Sequence, residues 1–527
     1  MSSGSSAAVF AGEMVIGDTL GRRALYSPHT PAIVDAGYSP ALRLSYAQMN
    51  ERANRLANWL RHEAGVRKGD RVAILARDGV AHLDCFFACG KLGALHTALN
   101  WRLHRRELVD ILAHTAPGAL IYSGEFGETV AQLQQDSGAE SIGAYLHLEG
   151  NGVEQSVAYA AALQQGAPDP ILTAGIEAED IAALIFTGGT TGRPRAAKIS
   201  QRMIAWNTLN TVIHDLQHGD TYLNVFPMYH TGGLFVYTVP NVILGGTTVL
   251  TRQFDSQQVL QLIEQEQATV FAAVPTMYQM LAQAPNWETA DLSSLRFCTS
   301  GGAPLPVPLV QKYMEEKGVR FKQGFGMTEF GPGVFALAAE DAVRKAGSIG
   351  RPNFFVGARV VDDENEPLGA GEIGELVLKG PSQSSGYFGD AQATAEALDE
   401  EGWFHTGDLA TYDEDGYFYI KDRKKDMFIS GGENIYPAEI EAALYRHAAV
   451  QQCAVIGVSH ERWGEVGLAC VVLQPQATAT EAELLAHLKQ NLAKYKVPKR
   501  VAFVKELPLS GAGKVLKQEL RRQFGEI

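Results

Sequence analysis

Cysteine is scarce, with five in 527 residues, at positions 85, 89, 298, 453 and 470. That number and spacing make neither a disulfide framework nor a zinc pattern. The one close pair, Cys85 and Cys89, lies in the apolar run LDCFFACGKLGAL and reads as buried thiols. So few cysteines in a long chain fit a reducing, cytoplasmic setting. An excess of positive charge is lacking too. Lysine and arginine total 45 against 59 acidic residues, a net charge of -14. That balance excludes a dedicated nucleic-acid binder, which needs a basic surface to displace counterions. No apolar run reaches the roughly 18 residues needed to span a membrane. The start, MSSGSSAAVF, has neither the basic flank nor the apolar core of a signal peptide. Peripheral membrane contact stays open.

What is present points to a soluble enzyme with a large core and more than one domain. SYAQMNERANRLANWLRHEAG reads as an amphipathic helix: Ser45 and Gln48 form a capping-box pair, and Met49, Ala53, Leu56, Ala57 and Leu60 share one face. DRVAILA reads as a short buried strand, followed by a helix from Val80 towards Leu95. The rhythm repeats to about residue 310, with TTVL and ATVFAAVP as strands around a helix near 255–266. Such alternation predicts α/β layers with largely parallel sheets. After about residue 345, short strands and turn clusters predict a small all-β subdomain, and strand and helix signals then alternate to the end. The charged KDRKKD suggests a boundary near Lys424.

FTGGTTGRPR, residues 186–195, follows the apolar run DIAALIF and precedes ISQRMIAWNTLNTVIHDL, expected to be a helix. A Gly- and Thr-rich loop between a strand and a helix can aim backbone N–H groups and hydroxyls at an anion. The loop is not a Walker A motif, and by itself a plain tight turn explains it as well. GPGVFA, residues 331–336, matches a dinucleotide pattern but lacks the strand and acidic partner that pattern requires. Neither a G-x-S-x-G elbow nor an H-E-x-x-H pair occurs.

Six further motifs decide the reading: PMYHTGG (227–233), TSGGAPL (299–305), QGFGMTE (323–329), FHTGD (404–408), DRKKDMFISGGENIYPAEIE (422–441) and PLSGAGKVLK (508–517). In this order and spacing, with the opening loop, they resemble the adenylate-forming superfamily of acyl- and aryl-CoA ligases, nonribosomal adenylation domains and firefly luciferase. The resemblance implies a large N-terminal domain of layered α/β sheets with a small β-barrel-like subdomain, and a small mobile α+β C-terminal domain. The corresponding boundaries are a mobile N-terminus at 1–10, an adenylation domain at 11–424 with its β-rich part at about 345–420, and a lid at 425–527.

The resemblance also implies the chemistry. A carboxylate reacts with ATP to give acyl-AMP and pyrophosphate, and coenzyme A then takes the acyl group. Two anions must meet, so the site needs cations, Mg2+ and aimed donors. Thr187, Gly188, Gly189, Thr190, Thr191, Gly192 and Arg195 would cradle the β- and γ-phosphates. Thr328 would hydrogen-bond the α-phosphate, and Glu329 would help hold Mg2+. Gly301, Gly302, Ala303 and Phe325 would flank the adenine, Asp408 would accept from the ribose hydroxyls, and Arg423 would reach ribose and phosphate. Lys514 would bridge carboxylate and α-phosphate as charge builds.

His230, counted with Thr328, Glu329 and Lys514 in the catalytic set, would line the acyl pocket with Thr231, Gly232, Gly324, Met327 and Gly331. Lys425 would be the hinge about which the lid swings, and Gly431 with Gly432 would form a strand beside the pantetheine tunnel. Trp463 would either wall that tunnel or belong to the core. His230 stands in a segment typical of acids without an α-amine, and the glycines suggest a roomy channel for a medium or long fatty acid or an aromatic acid. Transfer to an amine, luciferase-like oxidation, and nucleotide binding without turnover remain the alternatives. The partners are a small carboxylic acid, ATP and coenzyme A, on a monomer or a homodimer. Two departures mark the opening loop. Gly188 stands where serine is usual, and Arg195 replaces the usual lysine with a planar fork able to hold two phosphate oxygens.

Overall fold

The capping box expected at Ser45 is formed. Its side chain accepts from the Gln48 N–H at the start of the helix Tyr46–His62, and Gln48 returns a bond to the Ser45 backbone. Met49, Ala53, Leu56, Ala57 and Leu60 of that helix are fully buried. The next helix, Val80–Leu92, is apolar nearly all round and is buried on every side. It ends at Gly93, whose φ of 68° suits a left-handed cap. The helix Ile16–Tyr26 crosses it at Gly17 and Gly90, so closely that a Cβ on Gly17 would lie 2.1 Å from the Gly90 carbonyl carbon.

The computed structural model describes residues 15–187, 194–303, 305–430, 433–460, 462–509 and 515–525. Packing divides the chain into two units, Met1–Gly357 with Lys379–Gly402, and Ala358–Leu378 with Trp403–Ile527.

The first unit holds two large sheets. One runs, in spatial order, Arg351–Pro352, Gly333–Leu337, Phe321–Gly326, Phe297–Gly301, Val270–Ala273, Thr221–Asn224, Thr247–Leu250, Pro31–Asp35, Leu42–Ser45. Its strands from Phe321–Gly326 to Pro31–Asp35 are parallel, and antiparallel pairs close both ends. The other runs Val157–Ala158, Ala144–His147, Ala119–Tyr122, Arg71–Leu75, Leu95–Ala98, Ile181–Thr187, Arg195–Ser200, parallel except for its last pair. Helices cover both, as the alternating sequence predicts. No described helix is long and apolar enough to cross a membrane.

One local expectation is corrected. DIAALIF forms the strand Ile181–Thr187, but RAAKIS forms a second strand, Arg195–Ser200, antiparallel to it, before the helix Gln201–Val212 begins at its Ser200 cap. The Gly- and Thr-rich segment therefore connects a hairpin, not a strand and a helix. Ala196, Ala197, Ile199 and Ser200 of this short run are buried without the alternation that marks a half-exposed strand, and a long helical pattern follows it in the sequence. GPGVFA is likewise strand, Gly333–Leu337 pairing back on Phe321–Gly326, which agrees with its rejection as a nucleotide motif.

In the second unit, Gly374–Lys379, Phe404–Tyr412 and Phe418–Arg423 form antiparallel neighbours in a four-stranded sheet with Gly357–Val361. A five-stranded sheet is built on the long hairpin Val450–His460 and Gly464–Leu473, covered by the helices Pro437–Leu444 and Glu481–Asn491.

Candidate active site

Open α/β sheets collect ligands at the carboxyl ends of their strands, where the chain turns into loops. Three such ends in the nine-stranded sheet carry expected site residues. After Thr221–Asn224 come His230, Thr231 and Gly232; after Phe297–Gly301 come Gly302 and Ala303; after Phe321–Gly326 come Met327, Thr328 and Glu329.

The Met327–Pro332 turn aims its side chains by a tight backbone. Met327 N–H donates to Pro332 O at 3.0 Å, Thr328–Phe330 forms one 3-10 turn, and Gly331 reverses the chain at φ 73°. Thr328 Oγ1 thereby lies 3.5 Å from Thr231 Oγ1, joining two motifs that are 97 residues apart. The Glu329 carboxylate is buried and accepts from the Tyr387 hydroxyl at 2.8 Å. Burial, then the charge of Glu329, push the Tyr387 phenol well above the ordinary tyrosine range, so it stays a donor, with the Arg195 guanidinium opposing. Arg195 stands 5.4 Å over the Tyr387 ring and 3.8 Å from the Glu396 carboxylate, and its register partner across the hairpin is Thr187. Arg195, Tyr387 and Glu329 thus form one connected chain of groups.

The PMYH turn is held from beneath. Asp78 Oδ1 accepts from Met228 N–H at 2.7 Å, and the Asp78 carbonyl accepts from Arg252 at 2.5 Å. Burial pushes the Asp78 carboxyl up to about 7, against the Met228 N–H and the Arg102, Arg252 and Arg77 charges. The His230 ring packs 4.7 Å from the Tyr229 ring, and Tyr229 accepts from Arg102 at 2.7 Å. A short π-helix, Gly232–Val236, follows, an irregularity common at functional sites. Each of three glycines leaves the space of a methyl group. A Cβ would meet Phe226 at 3.8 Å from Gly232, Met203 at 3.7 Å from Gly331, and His214 at 3.7 Å from Gly324, all ordinary contacts. Phe325 meets Phe335 edge to face at 5.8 Å. Gly302 takes φ 81° where the strand Phe297–Gly301 ends, and Ala303 is exposed.

In the second unit Asp408 and Arg423 are register partners on neighbouring strands, with Nε 2.6 Å from Oδ1 and Asp408 buried. Asp408 N–H donates to Thr406 Oγ1, and Gly407 turns the strand at φ 69°. Lys425 is exposed. Trp463 is 38% exposed in the turn of the long hairpin, with Arg462 4.8 Å over its ring, so the core alternative for it falls. Gly188, Gly189, Thr190, Thr191, Gly192, Gly431, Gly432 and Lys514 lie outside the described residues.

Sequence reasoning missed Tyr387 and Asp78. Both act through partners more than 50 residues away, and neither stands in a motif that marks a ligand.

Two parallel-sheet layers with this cluster at their strand ends, and a smaller α/β unit in the C-terminal part of the chain, are the fold of the adenylate-forming enzymes. The AMP-binding enzyme family matches residues 20–388 and the AMP-binding enzyme C-terminal domain matches 439–514, and the chain belongs to this family. It is similar to a feruloyl-CoA synthase of Amycolatopsis sp, 44% identical over 505 residues that cover 96% of this chain and 98% of that one. An indoleacetate–CoA ligase of Aromatoleum aromaticum is 37% identical, covering 92% and 94%. The crystal structure of ATP-bound MatB from Rhodopseudomonas palustris superposes with a TM-score of 0.88 at 31% identity, covering 98% and 99%. The protein is an ATP-dependent acid–thiol ligase for aromatic or fatty carboxylic acids, with ATP and coenzyme A as substrates.

Proposed function

We propose that the acid is aromatic, that Mg2+ assists its activation, and that the residues gathered around Glu329 carry the first half-reaction. The observation behind this reading is the buried Glu329 carboxylate held by Tyr387, with Thr328 beside it in sequence and Arg195 over the ring of the same phenol. The aromatic preference draws on the relatives named for feruloyl and indoleacetate substrates.

A single buried carboxylate suits Mg2+, a hard cation that binds through one or two carboxylates, water and substrate phosphates. Bound there, the ion would neutralise phosphate charge. Arg195 would grip the β- and γ-phosphates through its planar fork. Thr328 would donate to the α-phosphate while a substrate carboxylate oxygen bonds to phosphorus and the pyrophosphate oxygen leaves. Lys514 would bridge the two anions at that moment. Asp408 would accept from the ribose hydroxyls; a carboxylate has lone pairs enough to do so while Arg423 holds it. The thiol of coenzyme A then attacks the acyl carbonyl and AMP departs. Gly301, Gly302, Ala303 and Phe325 keep their proposed place at the adenine, and Lys425, Gly431, Gly432 and Trp463 theirs in the thiol-transfer step. All five cysteines are buried and unbridged, which supports a cytoplasmic setting.

ATP–pyrophosphate exchange and CoA-dependent AMP release, run with cinnamic, benzoic and C8 to C16 fatty acids, test the reading. Aromatic acids should give the higher kcat/KM. Turnover of the fatty acids alone would overturn the aromatic assignment.

A further inference from the structure

Gly324 is partly accessible, and the space over its missing side chain is bounded by three groups: His214 Cε1 at 3.7 Å, Phe335 O at 3.8 Å and Thr299 Cγ2 at 3.9 Å from the Cβ position. His214 lies just past the helix Gln201–Val212 and is 92% buried, being 8% exposed. Its Nδ1, bonded to the carbon that faces Gly324, has no hydrogen-bond partner among the described residues. The polar neighbours are already engaged. Tyr237 Oη and Thr299 Oγ1 share a hydrogen bond of 2.7 Å, and the Tyr237 ring stands edge-on to the imidazole at 6.2 Å. A buried imidazole nitrogen without a partner among the described residues, next to the methyl-sized space that Gly324 leaves, is a group a ligand atom could satisfy.

We propose that His214 selects the substrate: its imidazole is the polar end of the acyl pocket and takes up the hydroxyl of an aromatic acid hydroxylated on the ring position remote from the carboxylate. This rests on the aromatic reading above. The chemistry of the partner follows from the surroundings. Burial, with the Lys322 ammonium on the His214 carbonyl at 3.0 Å, pushes the imidazole down to about 4, so it is neutral at pH 7. A neutral imidazole has one donor and one acceptor nitrogen, and a hydroxyl can serve either tautomer. A charged ring substituent would be desolvated there, with the nearby Lys322 ammonium already paired with Asp215. A ring lacking the hydroxyl leaves Nδ1 unpaired, which is the kind of deficit that discriminates between close analogues.

The test compares 4-hydroxycinnamic acid with cinnamic acid, as kcat/KM for CoA thioester formation, in the wild type, His214→Leu and His214→Gln. The wild type should favour the hydroxylated acid by about tenfold or more. In His214→Leu that ratio should fall towards one, through loss of the hydroxylated acid, with the KM for ATP unmoved; His214→Gln should restore part of it. The ratio within each variant is independent of how much protein folds. A wild type without preference, or a His214→Leu ratio equal to that of the wild type, overturns the assignment of His214 while leaving the aromatic reading standing. A wild type that uses fatty acids and neither cinnamate overturns both.

Discussion

Replacing Tyr387 by phenylalanine removes one oxygen and keeps the ring, and that oxygen is what holds Glu329. The bond is 2.8 Å long, between side chains of residues 8% and 7% exposed, so water does not readily replace it. A hydrogen bond to a buried charged group contributes about 1.5–3 kcal/mol. If that energy serves to orient the carboxylate, the variant loses about 10- to 150-fold in kcat/KM for adenylation. The ring beneath Arg195, 5.4 Å from the guanidinium, is still there, so the packing under that residue is kept. The loss should therefore depend on magnesium. At limiting Mg2+ the exchange of labelled pyrophosphate into ATP should fall by that factor, and excess Mg2+ should recover part of it. Tyr387→Ala, which also takes the ring from Arg195, should raise the KM for ATP as well. A Tyr387→Phe enzyme with wild-type exchange at limiting Mg2+ and an unshifted thermal midpoint would refute the argument.

Arg195→Lys should retain adenylation with a changed KM for ATP, whereas Arg195→Ala should weaken ATP use strongly; normal turnover in the alanine variant would make Arg195 a surface cation. Lys514→Ala should lose about 100- to 1000-fold in acyl-AMP formation yet still convert supplied acyl-AMP to thioester, and equal loss of both steps would sink the role. Acid stability should reflect buried histidines: burial pushes His82 and His214 down to about 4, so their contribution is complete above the unfolded value near 6.5 and is lost as pH falls through 4. Asp78, pushed up to about 7, works oppositely, its contribution complete below about 3.9 and lost as pH rises through 7. Asp78→Asn should thus steepen the decline in the urea midpoint between pH 6.5 and 4 by at most about 1.4 kcal/mol per pH unit, and parallel curves for variant and wild type would contradict it.

The fold was legible wherever local signals agreed. Ser45 with Gln48 announced a helix that the apolar face then buried, and DRVAILA and ATVFAAVP were apolar, short and bounded by turns. It misled where a short element preceded a long one. Arg195–Ser200 has six residues, shows no period of two, and is followed without a break by a helix of twelve residues. The consequence is chemical. Arg195 opens a strand and has no helix macrodipole behind it, so its attraction for an anion is that of its own guanidinium.

The same contrast explains which part of the site could be read. Thr328, Glu329, His230 and Thr231 sit on loops directly after parallel strands, so strand position fixes their side chains and short motifs identify them. Their supports come from elsewhere in the chain: Tyr387 lies 58 residues beyond Glu329, and Asp78 lies 150 before Met228. A donor to a buried carboxylate can come from any element that passes close by, and its sequence context carries no trace of the task. His214 is the same case in reverse, its Nδ1 having no partner among the described residues. An unmet hydrogen bond in a packed interior is costly unless a ligand meets it. Such a bond is visible only once the strand of Gly324 and the end of the Gln201–Val212 helix lie side by side, so the choice of acid, unlike the class of reaction, has to be read from the fold.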